Sequence, residues 1–508
     1  MKGYKLSKLI QSIGSIRKAQ NTDPVIKGIA YDSRKVGLDY IFFAICGLHT
    51  DGHFYIDQAV KNGATAIVFQ NNLKRYNNNL HYIHVKDSRM ALSKIADRFY
   101  NSPSSKLNVI GVTGTDGKST TVWFIHQLLE MLGKSSGFIS TVQLKYDKEV
   151  IKNKLRLSTP EAPTIHDILN KMVMNKKQFA VIETTSHGLS EKTKRLADVD
   201  FDVAVLTNIT HEHLEFHGTY EQYRSDKANL FRLLDRYIKN NFKKNKIGIV
   251  NLDDPAAKYL KKVTKRPVYT YSLTHKEADL FASDICLDPK GSFFCFTNKG
   301  KTIRSRINIP GLFNIKNLMA AALTITEYLQ INITRLSSLF TRLKGLEGRM
   351  DVIDFGQPFK VIVDYAHTPS SFESVMSIIR PVTRGRLISV FGSAGERDVE
   401  KRPMQGMIAS KYCDIVIITD EDPRLEDRYK IIEQIASGCI NLKKNENLFI
   451  EPNREKAISL ALSVAKKDDT ILLLGKGHEP SIIYPEGPHE WNESEVAKKL
   501  LIQAGYKP

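Results

Sequence analysis

The sequence predicts an α/β protein in three domains: a small N-terminal domain, a central P-loop ATPase-like parallel sheet and a C-terminal Rossmann-like doubly wound sheet. Three observations predict it. The chain has 508 residues, too many for one hydrophobic core when domains cluster at about 100 to 200 residues. A glycine-rich loop, Gly111 to Ser119, lies between a continuous apolar run and a helical pattern. From Val361 to Leu474, short apolar runs alternate with amphipathic segments, the signature of a parallel sheet covered on both faces.

The first domain is expected over 1–106. It carries short strand patterns at Gly28 to Arg34 and Tyr40 to Ala44, and Asn101 to Ser105 reads as a linker. The second is expected over 107–345. It opens with the apolar run Leu107 to Val112, the glycine loop, and a helix from Ser119 to Leu132 closed by Gly133. Buried-strand patterns follow at Phe179 to Glu183, Val203 to Asn208 and Ile247 to Asn251, then short alternating strands from Ser283 to Ile309. The third is expected over 346–508. Its strands are Val361 to Tyr365, Leu387 to Phe391, Ile415 to Thr419, Leu448 to Glu451 and Ile471 to Leu474. A helix from Arg454 to Lys466 puts Ala457, Leu460, Ala461 and Val464 on one face. Ligands of such sheets bind at the carboxyl ends of strands. Ala366-His367, Gly392-Ser393, Asp420-Glu421 and Gly475 to His478 all fall there.

Composition narrows the function classes. Hydrophobic residues at 42% and charged residues at 25% describe a globular chain rather than a disordered one. No run reaches the roughly 20 apolar residues of a membrane span, and the N-terminus has no secretory core, so no membrane insertion is expected. Five scattered cysteines without a C-x-x-C pair suit a reducing compartment and no structural zinc, with the cytoplasm as the default. The net charge of +19 raises nucleic acid as a partner. The basic residues are dispersed, however, with no aromatic–basic interleaving and no helix-turn-helix pattern, so nucleic acid is not expected.

The loop Gly111-Val112-Thr113-Gly114-Thr115-Asp116-Gly117-Lys118-Ser119-Thr120 has the parts of a phosphate cradle. Glycines let backbone N–H groups converge on phosphate oxygens, and the helix N-terminus adds positive dipole. Lys118 can reach the β- and γ-phosphates, and the Ser119 hydroxyl can ligate Mg²⁺. Five residues rather than four separate Gly111 from Gly117, a departure from the usual phosphate-loop spacing. Glu183 ends a strand expected beside this loop, where a carboxylate can serve Mg²⁺. The segment Thr207 to Gly218 holds His211, His213 and His217. With a phosphate loop nearby, Mg²⁺ is the ion to expect rather than zinc; one histidine can join its shell, the others being hydrogen-bonding or surface groups.

Taken together, these motifs resemble those of the Mur ligases. Gly114 to Thr120 resembles their G-T-N-G-K-T-T loop, with Asp116 in place of asparagine. Glu183 to Leu189 is similar to E-x-S-S-H-G-L, Thr207 to Leu214 to T-N-x-x-x-D-H-L, and Gly311 to Asn317 to G-x-F-N-x-x-N. Gly348-Arg349-Met350 and Asp364 to Pro369 match two later blocks. The resemblance runs through nearly the whole chain in order. Tyr31-Asp32-Ser33-Arg34, Asp51-Gly52-His53, Ser158 to Glu161, Gly395 to Pro403, Asp420 to Arg424 and Gly475 to Glu479 resemble blocks of the tripeptide-forming branch.

The resemblance implies an ATP-dependent acid–amino-acid ligase acting as a monomer. Gly114, Thr115, Gly117, Lys118, Ser119 and Thr120 would hold ATP. Asn314, Asn317, Arg349, Asp364 and His367 would meet the rest of the nucleotide. Ser119, Glu183, His213 and a carbamylated Lys227 would hold Mg²⁺, with Lys118, Lys227 and His213 catalytic. Ser33, Thr159, Ser186 and Arg195 would bind a UDP-N-acetylmuramoyl dipeptide. Arg397, Asp422, Arg424, Gly475 and Glu479 would bind the incoming diamino acid. Arg424 suits the second carboxylate of meso-diaminopimelate. Asp422, which replaces asparagine, suits the terminal ammonium of lysine or ornithine, the favoured pair. A folylpolyglutamate synthase or D-Ala-D-Ala-adding ligase would lack the Tyr31 to Arg34 and Gly475 to Glu479 blocks. A nucleic-acid-stimulated ATPase would need no dipeptide, and a non-catalytic nucleotide sensor would not keep Lys118, Glu183, His213 and Lys227 together.

Overall fold

The computed structural model describes residues 3–17, 22–47, 50–153, 155, 157–210, 214–236, 245–288 and 291–507. By packing, the chain forms two units, Met1–Asp279 with Ala320–Ile331, and Leu280–Met319 with Asn332–Pro508.

The first unit contains two sheets. The N-terminal one has strands β1 (Ser15–Arg17), β2 (Gly28–Ala30), β3 (Tyr40–Phe43), β4 (Ala64–Phe69) and β5 (His81–His84), in the order β1-β5-β4-β3-β2. β2 to β5 are parallel and β1 is antiparallel to β5. Ile41, Phe42, Phe43, Ile67 and Val68 are buried, as expected of strands covered on both faces. Helix α1 (Ser88–Phe99) packs Leu92, Ile95 and Phe99 into one face, and its N-cap Asp87 accepts from the N–H groups of Arg89 and Met90.

The segment expected to be a linker is a fixed joint. Pro103–Lys106 makes one tight turn in which Ser104 is buried and its Oγ accepts from Asp200 N at 3.1 Å. Ser93 Oγ of α1 accepts from Asp198 N at 3.2 Å, and Lys194 Nζ lies 3.7 Å from Asp87. Serine and proline signal a break in regular structure, but here the serine hydroxyls satisfy backbone groups of the neighbouring sheet's loops.

The central sheet is built from β6 (Asn108–Thr113), α2 (Lys118–Met131), β7 (Ser136–Ile139), α3 (Ala162–Met174), β8 (Phe179–Glu183), α4 (Ser186–Leu189), β9 (Val203–Leu206), α5 (Tyr220–Leu233), β10 (Ile247–Asn251) and β11 (Val268–Ser272). Its parallel strands run β7-β8-β6-β9-β10-β11. The chain leaves β6 for one side and later returns to the other at β9. Strand β6 therefore stands at the switch point, where a crevice opens at the carboxyl ends. Register pairs Val112 with Glu183 and Thr113 with Leu206, so the ends of β6, β8 and β9 come level.

The second unit has three antiparallel strands, β12 (Leu280–Asp288), β13 (Gly291–Asn298) and β14 (Lys301–Ile307). Helix α6 (Leu312–Leu329) follows, belonging to this unit only as far as Met319. The C-terminal fold is β15 (Asp351–Ile353), β16 (Lys360–Asp364), α7 (Pro369–Val382), β17 (Leu387–Phe391), α8 (Lys401–Tyr412), β18 (Ile415–Ile418), α9 (Arg428–Ala436), β19 (Leu448–Ile450), α10 (Arg454–Val464), β20 (Thr470–Leu474) and α11 (Glu493–Gln503). The sheet order is β15-β16-β20-β17-β18-β19, all parallel except β15. Phe372, Met376, Ile408, Ile432 and Ile435 of α7 to α9 fill one face. Ala457, Ile458, Ala461, Ala497 and Leu501 of α10 and α11 fill the other, giving the doubly wound arrangement. Fully buried Arg454 grips Glu493 through two nitrogens and donates to the carbonyls of Asp420 and Leu474. That pairing makes a buried charge tolerable and ties two strand ends together. Among the described residues no helix is long and apolar enough to cross a membrane.

Candidate active site

In the first unit the phosphate loop is clamped by the turn after β9. Thr207 Oγ1 donates to Asp116 O at 2.6 Å, Asn208 O accepts from Thr115 N at 2.8 Å, and Asn208 Oδ1 accepts from Asp116 N at 2.9 Å. This explains Thr207-Asn208 and also Gly114, where a Cβ would lie 1.8 Å from Thr207 Oγ1. The Asp116 side chain is exposed, and Gly117 caps α2 in a left-handed conformation. Lys118 Nζ donates to Thr115 O at 2.5 Å. Thr120 is buried on the first turn of α2.

Glu183 is buried and both its oxygens are engaged. Oε2 accepts from Ser119 Oγ and Thr141 N, each at 2.8 Å, and Oε1 from Thr141 Oγ1 at 2.8 Å. Ser158 Oγ is 2.6 Å from the same Thr141 hydroxyl. Thr159 is buried, its hydroxyl donating to Glu183 O at 3.0 Å and accepting from Thr185 N at 3.0 Å. Thr141 has no motif of its own in the sequence reading, although it stands just past the carboxyl end of β7, where the strand-end rule points.

Helix α5 supplies the next residues. Tyr223 Oη is 3.0 Å from Thr115 Oγ1. Lys227 is buried, with Nζ 2.5 Å from Gly114 O and 4.5 Å from the Tyr223 ring centroid. Asp226 Oδ2 lies 2.7 Å from His217 Nδ1, and His217 Nε2 lies 3.0 Å from Ser186 Oγ. His213 lies outside the described residues, as does His211.

Arg195 donates through Nε to Glu161 Oε1 and through Nη1 to Thr159 O, both at 2.9 Å. Arg89 of α1 approaches the same Glu161 oxygen at 3.9 Å. Tyr31 hydrogen-bonds Thr164, and burial followed by the Glu161 charge pushes its phenol above the usual range. The Tyr31 to Arg34 block thus meets the Ser158 to Glu161 loop. Ser33 is buried beside it, its carbonyl accepting from Asn62 Nδ2 at 2.8 Å. Among the described residues Cys46, Asp51 and His53 also converge. His53 Nε2 accepts from the N–H groups of Gln70 and Asn71, which leaves the ring hydrogen on Nδ1, directed at Asp51 2.5 Å away. The imidazole then has no lone pair for a cation.

In the second unit Asn314 and Asn317 are buried at the start of α6, and Asn314 Nδ2 donates to Pro310 O at 2.7 Å. Asp364 accepts from the N–H groups of Met350 and Ala366, each at 2.8 Å, so it shapes its own loop. The Arg349 guanidinium stacks 4.5 Å from the Tyr365 ring centroid. Tyr365 contacts His367 and His478 and donates to Glu479 Oε1 at 3.2 Å. His367 Nδ1 is 2.9 Å from Tyr365 O, and its own carbonyl accepts from Lys401 and Gln405. Arg397 is exposed.

Asp422 is not open for an ammonium. Its Oδ1 accepts from Lys476 Nζ and Ile483 N, each at 2.9 Å, and Lys476 Nζ also reaches Glu479 Oε2 at 2.5 Å. Glu421 is the contrasting group: it is buried, and its Oε2 has no hydrogen-bond partner among the described residues. Burial pushes its carboxyl upward, opposed by the charges of Lys401, His367 and Lys476. Gly475 faces it in a left-handed conformation, and a Cβ there would sit 2.9 Å from Glu421 Oε2. Arg424 also has a buried Nε without a hydrogen-bond partner among the described residues.

Comparisons with known proteins show the family. Residues 25–100 match the Mur ligase family catalytic domain, 112–325 the Mur ligase middle domain, and 348–477 the Mur ligase glutamate ligase domain. The chain is 43% identical to a UDP-N-acetylmuramyl-tripeptide synthetase of Treponema denticola, over 98% of each chain. It is 35% identical to a UDP-N-acetylmuramoyl-L-alanyl-D-glutamate–2,6-diaminopimelate ligase of Caldanaerobacter subterraneus subsp. tengcongensis, over 95% of this chain and 96% of that one. A solved structure of another such diaminopimelate ligase superposes with a TM-score of 0.67 at 25% identity, covering 99% of this chain and 100% of that one.

The Glu426 carboxylate is forked by the fully buried Arg402, which holds it down to about 2. The sign follows from linkage. The folded value lies below the ordinary carboxylate value of about 4.3, so the stabilisation is complete above that pH and fades as pH falls toward 2. Glu426→Gln should lower the melting temperature by roughly 5 °C at pH 7. The gap from the parent should narrow below pH ~4. A gap independent of pH, measured by thermal melts from pH 7 to 3.5, would refute the ion pair's contribution.

Proposed function

Because the chain belongs to the Mur ligase family, we propose that it joins a diamino acid to the D-glutamate of UDP-N-acetylmuramoyl-L-alanyl-D-glutamate, using ATP, in peptidoglycan biosynthesis. The observation that carries this reading is Glu183, whose carboxylate engages Ser119 of the phosphate loop and Thr141 beside the Ser158–Thr159 loop.

The γ-carboxylate of the dipeptide attacks the γ-phosphorus of ATP, ADP leaves, and an acyl-phosphate forms. The amine of the third amino acid attacks the acyl carbon, and the tetrahedral adduct expels phosphate as the amide forms. Lys118 offers positive charge to the moving phosphoryl group. Ser119 and Glu183 present hard oxygen donors, the set that suits Mg²⁺, and they would hold it with His213 and a carbamylated Lys227. Bound there, the ion would neutralise phosphate charge. Carbamylation leaves an N–H on Lys227 that can still donate to Gly114 O while adding anionic oxygens. Asn314, Asn317, Arg349, Asp364 and His367 complete the nucleotide site in this reading, and Ser33, Thr159, Ser186 and Arg195 the dipeptide site. Thr159 acts through its grip on Glu183 O and its carbonyl contact with Arg195. Exclusion of water from the site would protect the acyl-phosphate from hydrolysis. In this reading the enzyme works in the cytoplasm as a monomer, without nucleic acid, over the three domains 1–106, 107–345 and 346–508.

For the amino acid we favour lysine or ornithine, with the ammonium received by Glu421 rather than Asp422. Asp422 is neutralised by Lys476, whereas Glu421 Oε2, beside Gly475, has no hydrogen-bond partner among the described residues. Arg424, with its unpaired Nε, serves the α-carboxylate. Arg397, Asp422 and Glu479 complete this site.

Phosphate release should require the dipeptide and the amino acid together. Omitting each in turn tests this, and turnover driven by nucleic acid without them would sink the ligase reading. Lys227→Ala should lose at least ~100-fold in kcat, the scale of removing an electrostatic stabiliser, and a short added carboxylate should restore part of it. Near-normal turnover in the variant would remove Lys227 from the reaction. Lysine or ornithine should exceed meso-diaminopimelate in kcat/KM by about tenfold or more, a margin that Glu421→Gln should erase. Preference for meso-diaminopimelate would show that Arg424 selects instead.

A further inference from the structure

Three buried side chains near the expected dipeptide site form a chain of hydrogen bonds that no substrate contact explains. Ser186 opens α4, His217 precedes the turn into α5, and Asp226 lies within α5; each is at most 4% exposed. Asp226 Oδ1 accepts from Gln222 Nε2 at 3.1 Å, and its Oδ2 lies 2.7 Å from His217 Nδ1. Both Asp226 oxygens are met by side-chain nitrogens, so the hydrogen of the 2.7 Å contact is placed on His217 Nδ1. In that tautomer Nε2 carries a lone pair, 3.0 Å from Ser186 Oγ. The serine hydroxyl has one hydrogen, and it is directed at His217. The ring cannot rotate freely out of this arrangement, because Phe216, His187 and Tyr223 stand at 4.7, 5.3 and 5.1 Å between ring centroids.

A serine with its hydrogen committed presents only lone pairs to a ligand. It can accept from an N–H but cannot donate to a carboxylate. We propose that His217 and Asp226 are positioning residues that fix Ser186 as the acceptor for an amide N–H of the dipeptide, leaving carboxylates to Arg195. This rests on the ligase reading above. The Ser–His–Asp order resembles a nucleophile relay. Ser186 is 2% exposed, and a direct hydrogen bond to an amide needs only its lone pair.

A double-mutant cycle on the full-length enzyme tests the relay. Ser186→Ala and His217→Ala should each raise KM for the UDP-muramoyl dipeptide about tenfold, with KM for ATP unchanged. The double variant should show the same tenfold rise, because His217 acts only through Ser186. If His217→Ala does not fold, judged by melting temperature and binding of a non-hydrolysable ATP analogue, His217→Phe, which fills the ring's space without an acceptor, carries the same cycle. Replacing the dipeptide's two amides in turn by esters should cost the parent about tenfold in kcat/KM at one of them and cost Ser186→Ala nothing further there. A roughly hundredfold additive loss in the double variant, or a matching rise in KM for ATP, would overturn the relay. Esters that fail to distinguish the parent from Ser186→Ala would overturn the acceptor role. Absence of turnover in the parent would instead bring down the ligase reading beneath it.

Discussion

A single buried carboxylate, Glu183, sets the geometry of the first unit's site. Leaving it without donors would cost several kcal/mol, so the fold must bring donors to it. The Ser119 hydroxyl comes from the helix behind the phosphate loop, and the Thr141 hydroxyl and N–H come from the turn after β7. Thr159 holds the carbonyl of the same residue. Because β8 pairs in register with β6, these bonds fix the loop that would cradle phosphate against the loop that would carry the phosphoryl acceptor.

Helix α5 works from the opposite side. Tyr223, Asp226 and Lys227 occupy i, i+3 and i+4, one face of a helix. Tyr223 reaches the Thr115 hydroxyl, Lys227 the Gly114 carbonyl, and Asp226 the His217 ring behind Ser186. Packing of Ala228, Leu230 and Phe231 in the core fixes the rotation of that face. The phosphate loop and Ser186 are thus set by one rigid element, which suits a reaction needing near-contact between two bound molecules.

The strands, the glycine loop and the carboxyl-end clusters were legible because their signals are local: apolar runs, glycine at fixed offsets, a polar residue after a strand. Glu183 was legible for the same reason. Thr141, Tyr223 and the bond between His217 and Asp226 were not, since their meaning comes only from partners the fold brings near. Thr115 and Tyr223 are 108 positions apart, and Lys476 and Asp422 are 54 apart. Asp422 is the instructive case. Its replacement of asparagine is visible in the sequence and suggests a receptor for a cation; the cation is the protein's own Lys476. The Asn101 to Ser105 segment misleads similarly, since the Ser104 hydroxyl that marks a loop is satisfied by Asp200 N.

The same bookkeeping of partners decides the electrostatics of the second unit. The Asp420 to Asp427 stretch contains five acidic residues, which suggests a cation-seeking surface. Asp420 is forked by Arg428, Asp422 by Lys476 and Ile483 N, and Glu426 by Arg402, while Asp427 caps α9. Each of these charges is spent on the fold, where it fixes a strand end or a helix start. Among the described residues, Glu421 Oε2 alone of these is buried without a hydrogen-bond partner. A buried carboxylate in that condition gains more from an arriving ammonium than any of its paired neighbours, because nothing has to be broken first. On the proposed reading, selectivity for the amino acid would follow from which acid is left unpaired rather than from the number of acids in the motif.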